Sequence, residues 1–415
     1  MKNKLYYITN IIILLINYFI IFELSNTYGN LKYIGYSIIL ISVIMLIRYK
    51  NSSRICLLLG IILIMSICLA MSVCLNSYGT AFNWQIDLIE REANIINAKS
   101  YLLFLSIMCI TIGHVKENQY QIKLEKNPII FWGCFMILIY ALIFGLDRGE
   151  IGTYISNTNV IYEYAIIVYI FAWIYSKGRK YMKNLLIIYA ILYCAQGLIY
   201  GDRSSAFPMI LTIFLLVYNK KYSVVSVLII GLGGIAFGNL FEIFRNTGVV
   251  DGNTISEVIE RGLFVNTISY SFYAGTQIIR YSMISENKLM HLVDYTIALF
   301  TGGSAKISLS DLANSAGFIN KGGGISHTYF YYWGGYVAII IFAVIVGKII
   351  NKVFNGESEF SNICKLTIIV FSIRWFLYYP SALFRTALLI PMLCWIVCKI
   401  FEKIIKKQNI ERKLE

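Results

Sequence analysis

Twelve apolar runs, each close to the length that crosses a lipid bilayer as a helix, succeed one another along this chain with short polar clusters between them. A helix needs about twenty apolar residues to cross the hydrocarbon core, so the pattern leaves few architectures open. The runs lie near residues 5–24, 32–48, 55–74, 99–115, 128–146, 158–176, 185–201, 205–218, 223–243, 328–350, 364–380 and 382–400. With 58% hydrophobic and 14% charged residues the composition excludes an ordinary soluble domain, which carries about a quarter charged residues. The expected fold class is all-α: a polytopic integral membrane helix bundle of about 12 transmembrane helices with a large extracytoplasmic loop. Residues 1–415 form a single transmembrane domain, and 245–327 form the loop with interfacial helices.

The net charge of +14 raises the question of nucleic acid or anionic lipid, and the placement of the cations answers it. With both termini cytoplasmic, 23 of the 36 cations fall on inner segments, and every inner loop obeys the positive-inside rule. Topology therefore accounts for them, and no nucleic-acid partner is needed; the lipid bilayer is the expected surrounding. The remaining 13 are chemically different: eight are arginine (91, 148, 203, 245, 261, 280, 374 and 385) and five lysine (32, 99, 288, 306 and 321). Arginine keeps its charge when desolvated and grips phosphate or carboxylate with two parallel hydrogen bonds, so the outer face reads as an anion site.

The first apolar run lacks a small-residue cleavage site and reads as a retained first helix. The nine cysteines lie in or at the ends of apolar runs, none in the large outer loop; without a C-x-x-C pair they read as packing residues rather than metal ligands. Sequences for nucleotide-driven pumping, zinc proteolysis or a nucleophile elbow are missing.

Two outer connections are long. The first, Asn76 to Lys99, with Trp84 and Tyr78, reads as a connector lying on the membrane. The second, Arg245 to His327, carries amphipathic stretches at 255–284 and 289–300 and a glycine-rich end, and reads as a lid over a membrane-embedded cavity. The turn Gly201-Asp202-Arg203-Ser204-Ser205 puts a charged pair at the membrane face, where glycine, arginine and two hydroxyls can hold a phosphate. The competing reading is a plain hairpin turn in which Asp202 and Arg203 pair with each other. Arg245 leaves the ninth run at the same depth, and Arg280 follows a surface helix. Arg374 and Arg385 flank Trp375, Tyr378, Tyr379 and Pro380, where aromatics beside cations suit a sugar and a phosphate together. His327 caps the tenth run beside Gly322, Gly323 and Gly324, at a helix N-terminus that favours the neutral, basic imidazole. Glu163 reads as the clearest deeply intramembrane acid.

The Gly-x-Arg-Ser turn in mid-chain, the arginine-bearing exit into a large outer loop, and the glycine-rich approach to Ser326-His327-Thr328-Tyr329 and Trp333-Gly334-Gly335-Tyr336 resemble the Wzy-type O-antigen and capsule repeat-unit polymerases. The resemblance covers about residues 195–350 and the overall layout. It implies a lipid-pyrophosphate-dependent glycosyltransferase of the bacterial cytoplasmic (inner) membrane that acts at its outer face. Undecaprenyl-pyrophosphate-linked oligosaccharides would be both donor and acceptor, without cofactor, nucleotide sugar or obligatory metal. Arg203 and Arg245 would stabilise the leaving pyrophosphate and His327 would orient or deprotonate the acceptor hydroxyl. Asp202, Ser204, Arg280, Tyr329, Arg374 and Arg385 would bind substrate. The O-antigen ligases share the outer-loop design and stay open as an alternative, as does a lipid-linked oligosaccharide flippase, although a flippase calls for charges at several depths. Whether a chain-length-regulating co-polymerase binds is left open too.

Overall fold

A computed structural model describes residues 2–50, 53–75, 87–115, 122–147, 158–177, 179–200, 202–218, 222–247, 252, 256, 266–301, 308–319 and 323–414. The described residues are helical and contain no strand. The elements are α1 (Lys2–Tyr18), α2 (Leu31–Arg48), α3 (Ser53–Leu69), α4 (Glu92–Ile112), α5 (Pro128–Phe144), α6 (Val160–Ile174), α7 (Lys180–Ile199) and α8 (Arg203–Val217). There follow α9 (Val224–Thr247), α10 (Thr267–Ile284), α11 (Lys288–Thr301), α12 (Leu309–Ser315), α13 (Ser326–Asn355), α14 (Glu359–Val370), α15 (Ser372–Leu377) and α16 (Ile390–Leu414). Wider π-helical turns extend α1 to Glu23 and α3 to Cys74 and lead into α16 from Ala382.

Each of the twelve apolar runs is helical over most of its length. Among the described residues seven helices are long and apolar enough to cross a membrane: those over Tyr6–Glu23, Tyr28–Arg48, Arg54–Cys74, Glu92–Ile112, Lys180–Ile199, Val224–Phe241 and Ser326–Asn355. Pro128–Phe144, Val160–Ile174 and Ser204–Val217 are apolar but shorter; the 15 residues of α6 reach about 22 Å, less than a bilayer core. The eleventh run is broken at Phe371, and the turn at Tyr378 separates it from the twelfth.

Local chemistry sets the starts. Asn127 accepts from the Ile130 amide ahead of Pro128, and Asn159 from that of Ile161; Asn266 and Ser269 close a capping box on α10. Backbone bridges between Lys126 and Ser176 at one end and Leu146 and Thr158 at the other tie α5 and α6 into an antiparallel pair. Two helices are central, α3 and α4, both mostly buried; α1 and α9 are peripheral and display their apolar side chains outward. An outward-facing apolar belt of this kind is what lipid, not water, accommodates. The chain is a membrane protein.

The segment between α9 and α13 differs from the expected loop. Of the stretch 255–284 expected as a surface helix, Thr267–Ile284 is described as α10, and this part is packed into the bundle: Ile268, Phe272, Ile278 and Ile279 are buried, and the helix packs on α3, α4 and α13. Asn97 on α4 draws it in by donating from Nδ2 to the Phe272 carbonyl (2.8 Å) and to Thr276 Oγ1 (3.0 Å). Over Thr267–Ile284 the apolar face is turned to protein rather than to the surface. α4 also begins seven residues before the run that announced it, at Glu92.

Candidate functional site

At the end of the bundle where α6, α8 and α13 begin and α15 ends, the residues of three separated segments converge. Arg374, in α15, donates from Nη2 to Ser204 Oγ at 3.0 Å and lies 3.4 Å from Glu163 Oε1. Ser204, in the first turn of α8, passes its own proton to Asp202 Oδ1 at 2.6 Å, and Thr158 donates to Glu163 Oε1 at 3.4 Å. A directed chain therefore runs from the guanidinium through a hydroxyl to one carboxylate, with the second carboxylate beside it. Arg385 stands over the ring of Tyr164 at 5.7 Å, and both Arg374 and Arg385 act electrostatically on that tyrosine. Arg385 reaches it from the π-helical stretch Ala382–Leu389, a local widening of the kind that often re-aims side chains at functional positions.

The charges decide what this cluster can hold. Among the described side chains, Arg374 and Arg385 match Glu163 and Asp202 in charge. Asp202 is buried, and its Oδ2 has no hydrogen-bond partner among the described residues. Arg203 opens α8 and Arg245 lies near the end of α9; both side chains lie outside the described residues, as do Arg148, Arg261, Lys306, Lys321 and Trp84.

Of the expected site residues, the structure brings together Asp202, Ser204, Arg374 and Arg385, with Arg203 on the same turn. It adds Glu163, Thr158 and Tyr164. Glu163, expected as a deeply intramembrane acid, occupies the first turn of α6, three residues after the helix begins, with its side chain 36% exposed. The sequence carried this signal in Asn159, whose cap fixes the helix start and hence the depth of Glu163.

His327 sits elsewhere. It is fully enclosed among α4, α10 and α13, with its ring edge-on to Tyr101, and its Nε2 lies 2.6 Å from Asn97 Oδ1. Because Asn97 Nδ2 donates to a carbonyl, its Oδ1 is the acceptor, so His327 carries its proton on Nε2 and leaves Nδ1 without a partner among the described residues. His327 thus opens α13 as expected, but its ring is enclosed in protein rather than open beside the glycines. Of the neighbouring glycines, Gly324 is present for packing: a methyl there would lie 2.7 Å from Thr328 Oγ1 and 2.9 Å from Gly275 Cα. Tyr329 is enclosed too, its ring among those of Tyr295, Trp333 and Tyr379. Ser326 Oγ donates to the Trp375 carbonyl, so α15 lies between the His327 interior and the Arg374 cluster.

Arg280 belongs to neither group. It binds Gln277 Oε1 (2.8 Å) and covers Phe318 at 5.0 Å, while burial and the nearby guanidinium of Arg91 hold its pKa below the usual arginine value.

No protein-family model matches this chain, and neither a curated protein nor a solved structure does.

Proposed function

We propose that the protein is a polysaccharide polymerase of the bacterial cytoplasmic membrane, crossing it twelve times with both termini inside, and that it joins lipid-pyrophosphate-linked oligosaccharide repeat units at the outer face. The observation that carries the reading is the convergence of Arg374, Ser204, Asp202, Glu163 and Arg385 at the end of the bundle opposite the lysine-rich termini. Arginines gathered from two segments beside acids suit a reaction in which a sugar hydroxyl attacks and a pyrophosphate leaves.

In this reading the acceptor oxygen forms a bond to the donor's anomeric carbon as the bond from that carbon to the pyrophosphate oxygen breaks, and the electron pair leaves with the pyrophosphate. Arg374, Arg385 and Arg203 hold the leaving anion, whose charge rises in the transition state and is therefore bound more tightly there. Glu163, not His327, takes the hydroxyl proton, because its carboxylate is part-exposed beside Arg374 whereas the imidazole is sealed in protein. Pyrophosphate is a good leaving group, so the base has little work to do.

The test is the length of surface glycan on gels from cells lacking the gene, complemented with wild type, Arg203→Ala or Arg374→Lys. Single repeat units on the final acceptor after deletion, with no ladder restored by either variant at normal protein level, support a polymerase. Accumulation of full-length lipid-linked chains would identify a ligase, and loss of all outer glycan a flippase.

A further inference from the structure

Helix α11 has two apolar faces. One, formed by His291, Tyr295 and Ala298, is buried. Trp333 Nε1 donates to His291 Nδ1 at 3.0 Å, and the rings of Tyr295 and Trp333 lie 4.8 Å apart, so this face is fastened to α13. The opposite face carries Leu289, Met290, Val293, Ile297 and Phe300, each at least half exposed. At 100° per residue these five fall within one arc of about 100°, and Asp294 and Thr296 mark its two edges.

The position of this face follows from α13. That helix is interrupted at Gly334 (φ −170°, ψ 32°) and Gly335 (φ 62°, ψ −149°). The stretch after the break, 336–355, is about 30 Å long at 1.5 Å per residue, the thickness of the hydrocarbon core. The stretch before it, which includes Tyr332 and Trp333, is the end of α13 nearest the arginine cluster, and α11 is fastened there. Its 14 residues are too few to cross the membrane. The exposed stripe is apolar like the outward faces of the spans, and α11 carries one lysine and one aspartate, so headgroup charge supplies no net attraction.

We propose that α11 is an in-plane membrane helix, seated in the leaflet at the arginine-bearing end of the bundle, with Leu289, Met290, Val293, Ile297 and Phe300 among lipid acyl chains. The inference rests on the chain being a membrane protein and is independent of the reaction proposed above.

Full-length protein in nanodiscs containing a phospholipid with a photoactivatable diazirine in its acyl chain provides the test. Mass spectrometry should find adducts on peptides covering 289–300 at yields comparable with those on Leu15 and Phe22, in neutral phosphatidylcholine and in anionic phosphatidylglycerol alike. Labelled spans beside an unlabelled α11 would overturn the proposal, and adducts only in anionic discs would overturn its apolar basis. A second arm uses Ile297→Cys and Asp294→Cys with a water-soluble maleimide, against the wild-type background. Ile297→Cys should be protected in the disc and Asp294→Cys should react. Fast reaction at Ile297→Cys, or its cross-linking between two copies, would mean that water or a second chain covers the stripe.

Discussion

Replacing His327 separates a structural imidazole from a catalytic one. The ring is fully enclosed and makes one side-chain hydrogen bond, from Nε2 to Asn97 Oδ1. In His327→Ala the bond is lost, at a cost of about 1–2 kcal/mol by the scale of hydrogen bonds within membrane proteins. The space left by the ring adds about 2 kcal/mol, because its surroundings on α4, α10 and α13 relax only partly. The sum, about 3 kcal/mol, is roughly a hundredfold in the ratio of folded to unfolded protein. His327→Gln keeps an N–H donor for Asn97 and fills most of the space, so it should recover more than half of that loss. Thermal unfolding of purified protein in detergent, followed by loss of the monodisperse peak in size-exclusion chromatography, reads the stability. Glycan ladders normalised to folded protein in the membrane read the turnover. The expected outcome is that Ala lowers protein level and unfolding temperature while Gln restores both, with turnover per folded molecule close to wild type. A general base contributes about 10²–10⁴-fold to rate. If His327→Gln has wild-type stability and loses turnover on that scale, the structural assignment is wrong and Nδ1 takes part in the reaction.

Four further outcomes follow from the geometry. Arg374→Lys should leave stability within about 1 kcal/mol, since its ion pair with Glu163 is long and partly exposed, yet lower turnover by about 10²–10³, the cost of removing one preorganised donor. Equal losses in stability and turnover would make it a structural residue. Gly324→Ala should cost about 1–3 kcal/mol by forcing α10 from α13, and turnover per folded molecule should persist; the reverse would restore a ligand-holding role to the glycine run. Gly335→Ala meets no atom within 4 Å, so its cost of about 1–3 kcal/mol comes from the backbone alone; an unfolding temperature equal to wild type would refute the break in α13. At the opposite end, Lys399 lies 3.0 Å from Glu125, 3.1 Å from Glu359 and 3.2 Å from Glu402. Burial and the adjacent Glu402 raise the Glu125 carboxyl above its usual value. The fold thus favours protonated Glu125, a contribution present below the ordinary glutamate value and lost as pH rises through the raised one. Glu125→Gln should therefore match wild type in acid and exceed it in stability near neutrality; greater stability of the wild type at neutral pH would reverse the sign.

The sequence could be read along the membrane normal much further than across it. Hydropathy located the apolar runs, and seven of the described helices have the length that a bilayer imposes, while capping residues such as Asn127 and Asn159 set where helices begin. Which helix lies beside which depends on side-chain shape and buried polar pairs, and these have no period. Asn97 makes the point: it lies in an apolar helix, yet its amide orients His327 on α13 and draws in α10 through the Phe272 carbonyl. A glycine run beside a histidine has the same letters whether the glycines cradle a phosphate or let Gly324 and Gly275 meet, and only the approach of two backbones tells these apart. The cation pattern was more legible, because its cause is local. Lysine is selected where a charge need only remain in water, whereas arginine is retained where its charge must survive partial burial among fixed partners. Arg374, 15% exposed between Ser204 and Glu163, and Arg385 against Tyr164 meet that description. Arg280 on Phe318 meets it equally well and shares no described contact with them. Yet Arg91 is exposed while Lys99 and Lys365 are buried, so the choice of cation alone does not sort buried from exposed charges, and it took the fold to gather the part-buried Arg374 and Arg385 into one cluster and leave Arg280 apart.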